Sequence, residues 1–146
     1  MKVPNLMLFI GLIGFTTMLA SCKKDKEDPK SPGGTTPPLT ATITISSPAE
    51  GAMLDHGQEL HIHATVTAGF EMHGYTLQIR RAADNEVVWT HHSHSHATSY
   101  TIHEHWTNNV DDHTNMILRV TAELDHSGTV SFKEVGFHCH PHEEEH

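Results

Sequence analysis

The chain has 146 residues, with 18 acidic against 9 basic side chains, a formal charge of −9 and two cysteines. That length suits one compact domain, the acidic balance speaks against nucleic acid as a partner, and two cysteines exclude a disulfide-built mini-protein or a four-cysteine zinc ribbon. Histidine is the outlier, at 16 residues.

Lys2 precedes an apolar stretch from Leu6 to Ala20. It is shorter than the roughly 20 residues a membrane span needs, but it has the proportions of a secretory signal peptide. It ends in Leu19-Ala20-Ser21-Cys22. This run resembles the lipobox of bacterial lipoproteins. The resemblance implies a signal peptide over residues 1–21 and lipidation of Cys22, which then anchors the mature chain in a membrane. Lys23-Lys24-Asp25-Lys26-Glu27-Asp28 and a stretch rich in Pro, Gly and Thr follow. Such a composition cannot bury a core, so residues 22–39 read as a disordered tether. The charged run is similar to the surface-export signal of Bacteroidetes lipoproteins. It implies an outer-membrane anchor in the cell envelope, with periplasmic and outward-facing placements both open.

From residue 40 to 138 apolar residues alternate with period two and no helical run stands out, which predicts β-strands. Ala41 to Ile45 make the first. Leu60, Ile62, Ala64 and Val66 are one face of the second, with His61 and His63 on the other. Tyr75, Leu77 and Ile79 mark the third, closed by Asp84-Asn85. Val87-Val88-Trp89 open the fourth, and Tyr100, Ile102 and Trp106 mark the fifth. Met116, Leu118, Val120, Ala122 and Leu124 form the sixth, ending in the turn-forming Asp125-His126-Ser127-Gly128. Val130, Phe132, Val135 and Phe137 mark the last, with a phase break that Gly136 or a bulge would absorb. About seven short antiparallel strands separated by turns predict an all-β, Ig-like β-sandwich. Ser47-Pro48-Ala49-Glu50-Gly51 and Asp125 to Gly128 resemble segments of the small Ig-like domains of Bacteroidetes lipoproteins. Tyr100-Thr101-Ile102-His103-Glu104-His105 with Leu118-Arg119-Val120-Thr121-Ala122 is similar to a His-rich branch of them. The resemblance implies this fold and a lipid anchor, and it carries over no activity.

Histidines recur at alternate positions: His61 and His63, then His92, His94 and His96, then His103 and His105, then His138, His140 and His142. On a strand, residues i and i+2 share a face about 6.5–7 Å apart, and neighbouring strands lie about 4.7–4.9 Å apart. Imidazoles from two strands can therefore converge on one ion, and zinc takes such nitrogens at about 2.0–2.1 Å. If Val87–His96 and Ser99–Trp106 pair as a hairpin turning at Ala97-Thr98, Trp89 and Trp106 share the core. His92 then lies opposite His103, with His94, His96 and His105 nearby, while His91 and Glu104 point inward. Pairing of the second and fifth strands, usual in Ig-like sandwiches, brings His61 and His63 beside His103 and His105. In the other register Asp84-Asn85 turns the third strand into the fourth, and His91 to Ala97 hang as a loop over the sheet edge. The expected metal ligands are His61, His63, His92, His94, His96, His103 and His105, for zinc first and copper second. A solvated polar face is the competing explanation for them.

His138-Cys139-His140-Pro141-His142, three glutamates and His146 form a His- and Glu-rich tail from residue 139 to 146, with His138 just ahead of it. His138, Cys139, His140 and His142 are a second candidate cluster, in which a lone Cys139 thiol would be a soft ligand for Cu(I) or zinc. The chain has no nucleophile elbow, Gly-rich phosphate loop or His-Glu-x-x-His motif, so a binding protein is expected rather than an enzyme. A copper–zinc superoxide dismutase also sets His-x-His pairs on a β-sandwich, but this chain lacks the Gly-rich surroundings and disulfide pair of that family. Two other functions stay open. One is haem capture, with His and Met72 or Met116 as axial ligands. The other is an Ig-like adhesion or interaction module that carries a pH-responsive histidine surface and engages an outer-membrane protein partner.

Overall fold

A computed structural model describes residues 37–143. The expected leader, Cys22, most of the expected tether and the last glutamates lie outside the described residues. Eight strands follow in order: β1 (Thr42–Ser47), β2 (Ala52–Leu54), β3 (Glu59–Met72), β4 (Gly74–Arg81), β5 (Val87–Ser93), β6 (Ala97–Thr107), β7 (Thr114–Glu123) and β8 (Val130–Cys139). They form two sheets, β1-β3-β6 and β2-β8-β7-β4-β5, which face each other as an Ig-like β-sandwich.

The period-two alternation explains this directly. On β3, Leu60, Ile62, Ala64 and Val66 are buried while His61 and His63 are exposed. On β7 the inward set is Met116, Leu118, Val120 and Ala122, and β4 contributes Leu77 and Ile79. One apolar face per sheet meets the other, and Trp106 of β6 packs edge-on to Phe137 of β8 with ring centres 6.3 Å apart. Each fully buried large aliphatic side chain stabilises the fold by about 1.5–3 kcal/mol over its exposed state.

Three expectations need correction. The sandwich has eight strands rather than seven, because the short Ala52–Leu54 segment pairs with β8, and it does so in parallel. Three residues without alternation gave no period to detect. Of the two registers left open, the β5–β6 hairpin does not form: β5 pairs only with β4, in register Ile79↔Trp89 and Leu77↔His91, and runs to Ser93, so that only residues 94–96 are a loop, and β6 pairs with β3 in the other sheet. The Asp84-Asn85 turn closes the β4–β5 hairpin instead, with Asn85 in the left-handed region at φ 62°, a conformation that Asn tolerates. Finally, β8 has no bulge. Its pairing with β7 is continuous from Val130 to Cys139, and the phase break exists because Val130 and Phe132 lie on the outer face, exposed by 48% and 56%. The Arg119 guanidinium covers the Phe132 ring at 4.3 Å, which offsets that exposure.

Candidate metal centre

The β7–β8 hairpin builds a site by parity. Thr114 pairs with Cys139 and Asn115 with His138. Cys139 is wholly buried, so alternation turns His138 and His140 to the outer side. His113, the residue before β7, continues the register one step and lies beside His140. The three rings have centres 5.6 Å (His113–His138), 5.0 Å (His113–His140) and 4.9 Å (His138–His140) apart. One nitrogen from each can be chosen so that all lie within 4.8 Å of one another. Zinc–nitrogen bonds of about 2.0–2.1 Å in tetrahedral geometry place two ring centres about 5 Å apart. These residues could therefore hold a metal ion with small ring rotations.

The surroundings orient the His138 ring and hold the His140 backbone. His138 Nδ1 donates to Asn115 Oδ1 at 2.8 Å, and His138 Nε2 lies 3.4 Å from His113 Nδ1. A carbonyl oxygen can only accept, so the proton sits on Nδ1 and the Nε2 lone pair faces the cluster. His140 is tied through its backbone: its N–H donates to Leu54 O at 2.9 Å, and its carbonyl accepts from Asn108 Nδ2 at 2.8 Å. Asn108 is fully buried and also donates to Leu54 O. His56 and His142 meet edge-to-face at 5.5 Å, and with Asp55, His140 and Pro141 they line an adjoining cleft.

The seven histidines expected to share one site are divided between the sheets. His61 pairs with His105 and His63 with His103 on the outer face of β3 and β6. His63 and His103 touch edge-to-face at 4.6 Å, while Glu59 lies 4.0 Å from His61 and 3.8 Å from His105. His92 belongs to β5 in the other sheet and contacts Glu123 at 3.1 Å. His94 and His96 lie in the β5–β6 connection. His92 and His103 are not opposite each other, because no ladder joins β5 to β6.

The inward-pointing His91 and Glu104 do meet, 3.3 Å apart, bridging the sheets where their edge strands face each other. His91 also stacks on Tyr75 and Trp89, which is only partly buried.

Cys139 does not join the three imidazoles. It points into the core, and burial pushes its thiol up to about 11 from 9.0. The strand that carries it, β8, is held by β7 on one side and β2 on the other. Met72 and Met116, the methionines considered as axial haem ligands, are 0% and 1% exposed and belong to the core. His113 escaped the alternation pattern because it stands alone in its loop. Extending the β7–β8 register beyond its apolar core would have found it.

No protein-family model matches this chain, and no curated protein matches it. Solved structures that resemble it include the fibronectin(III)-like modules of Clostridium thermocellum CbhA, at 17% identity and TM-score 0.43, covering 68% of this chain and 96% of that one. Another is the CARDB domain of a Pyrococcus furiosus protein in complex with di-metal ions, at 13% identity and TM-score 0.33, covering 70% of this chain and 94% of that one.

Proposed function

We propose that this chain is a lipid-anchored module of the bacterial cell envelope that binds a transition-metal ion, zinc first and copper second, through His113, His138 and His140. The observation that carries the reading is the convergence of three imidazoles from two strand ends, one already oriented by Asn115. Three nitrogens leave one coordination position for water or a partner's donor. An all-imidazole set disfavours calcium and magnesium, which take oxygen ligands. With Cys139 in the core, the soft-ligand case for Cu(I) weakens, whereas Cu(II) competes through its intrinsic affinity for imidazole. The anchor is the lipid expected on Cys22.

Metal analysis of protein purified without a His tag or nickel column should find zinc. By calorimetry, His113→Ala with His138→Ala should weaken zinc binding at this site at least tenfold, while His103→Ala with His105→Ala should change it little. The reverse ranking would move the site to the β3–β6 face. Replacing Cys22 with Ser should release the protein from membranes, and unchanged fractionation would remove the anchor from the proposal.

A further inference from the structure

The end of the sandwich away from His113, His138 and His140 gathers four more histidines from three connections. His73 is the single residue between β3 and β4, His94 and His96 lie between β5 and β6, and His126 sits in the β7–β8 turn. The ten residues of β7 separate the two ends of its sheet, roughly 30 Å at about 3.4 Å per residue. His73 and His126 have ring centres 3.7 Å apart, His73 and His96 4.6 Å, His94 and His96 5.3 Å, and His96 and His126 6.2 Å. The 4.6 and 5.3 Å separations are near the roughly 5 Å expected for imidazoles sharing one tetrahedral ion, whereas the 3.7 and 6.2 Å pairs need ring rotation to do so, and these nitrogens do not lie within 4.8 Å of one another as those of His113, His138 and His140 do. His73 Nδ1 is buried and has no hydrogen-bond partner among the described residues, an arrangement that costs free energy unless something binds it.

Three contacts position this group. Gly74 has φ 144°, and a Cβ there would lie 2.3 Å from Ser93 O and 3.2 Å from His94 Cα, so only glycine lets the β3–β4 connection approach the end of β5. The Tyr100 hydroxyl donates to Ser95 O at 2.6 Å and lies 3.2 Å from Met72 O, tying the His94–His96 segment to the residue before His73. Asp125 Oδ1 accepts from Ser127 N, Ser127 Oγ and Thr129 N, which fixes the turn carrying His126. The side chains of Thr129 and Ser127, with the backbone N–H groups of both, hold the Asp125 carboxyl well below the usual carboxylate range.

We propose that His73, His96 and His126, with His94 as a fourth nitrogen, form a second transition-metal site, independent of the first and of the same imidazole-binding ion class. The ion would satisfy the stranded His73 nitrogen and hold the three connections together. Glu71, 3.4 Å from His96 Nδ1, would orient that ring or supply an oxygen ligand. Burial, then the neighbouring His126, His96 and His94, lowers the pKa of His73 from 6.5 against a smaller opposing pull from Glu71, which favours the neutral ring that ligates.

The test is a zinc chloride titration of the full chain, purified without an affinity tag and followed by calorimetry and by side-chain imidazole ¹⁵N signals. The parent protein should bind one equivalent through each pole. The His113→Ala, His138→Ala variant should lose one equivalent and keep zinc-dependent shifts of His73 and His126. The His73→Ala, His126→Ala variant should lose the other equivalent while His138 still shifts. The signals of the parent protein provide a reading that needs no substitution. Unmoved His73 and His126 signals through two equivalents would overturn the second site. Unmoved His138 signals would instead count against the first site alone, so the two proposals fail separately.

Discussion

Because the Asn115 oxygen only accepts, its 2.8 Å contact with His138 Nδ1 does more than hold a ring in place. It selects the tautomer whose Nε2 is free to bind, so the ion need not displace a proton there. Replacing Asn115 with Leu removes that selection without touching a ligand. Zinc affinity should fall by about 10–100-fold, the usual cost of losing such a supporting contact, with little change in folding because the position is exposed. Calorimetry alongside a thermal melt separates the two effects, and an unchanged affinity would show that His138 orients itself. Cys139 illustrates the opposite case. It sits between His138 and His140 in sequence, yet one step of strand alternation sends its sulfur into the core and theirs outward.

At the level of elements, β2 is short but consequential. It lies alongside β8 in parallel, and Asn108, just past β6, joins the two by donating to Leu54 O at 3.1 Å and His140 O at 2.8 Å. The same side chain accepts from Val110 N, so one buried amide closes the end of the sandwich beneath the first site. Asn108→Ala should take the partner from the His140 carbonyl and the Val110 N–H, while Leu54 O keeps the His140 N–H, and cost about 1–3 kcal/mol of folding stability. It should also weaken zinc binding by loosening His140. Urea unfolding of the metal-free variant checks the first effect and calorimetry the second; stability unchanged from the parent would mean water replaces the amide. The β3–β6 ladder positions its four histidines equally firmly, but Glu59 draws on His61 and His105, leaving His63 and His103 as a pair rather than a triad.

For the whole molecule, the core is complete without any histidine. Among the described residues, every fully buried large side chain is apolar apart from Asn108 and Cys139. The chelator-treated protein should therefore keep a β-type far-UV circular dichroism spectrum and unfold cooperatively, and a spectrum dominated by coil would show that metal drives folding. Its stability should have an alkaline edge set by Cys139, whose folded pKa of about 11 lies above the ordinary 9.0. Below pH 9 both states keep the thiol proton and this contribution is fully present. As pH rises through 11 the unfolded chain releases its proton first, and the contribution is lost. Melting temperatures measured from pH 8 to 11 should fall, and Cys139→Ala should flatten the fall; an equal slope in the variant would assign it to other groups.

Leu60 to Val66 and Met116 to Ala122 were legible as strands because period-two alternation is a local property, and it gave the β-sandwich together with the outward direction of His61, His63, His103 and His105. The pairing of β3 with β6 was also within reach, since it follows from the layer order of the fold. What the alternation could not say is which sheet β5 joins, because a strand with one apolar face fits either. That single choice separates His92, His94 and His96 from the β3–β6 face. The two histidine poles depend on residues that lie outside any periodic run: His113 ahead of β7, His73 between two strands, and His126 in a turn. Sequence determined the strands, the direction of their side chains and the abundance of imidazole. Tertiary structure decided which imidazoles meet, since loops from distant parts of the chain converge only once the two sheets have packed.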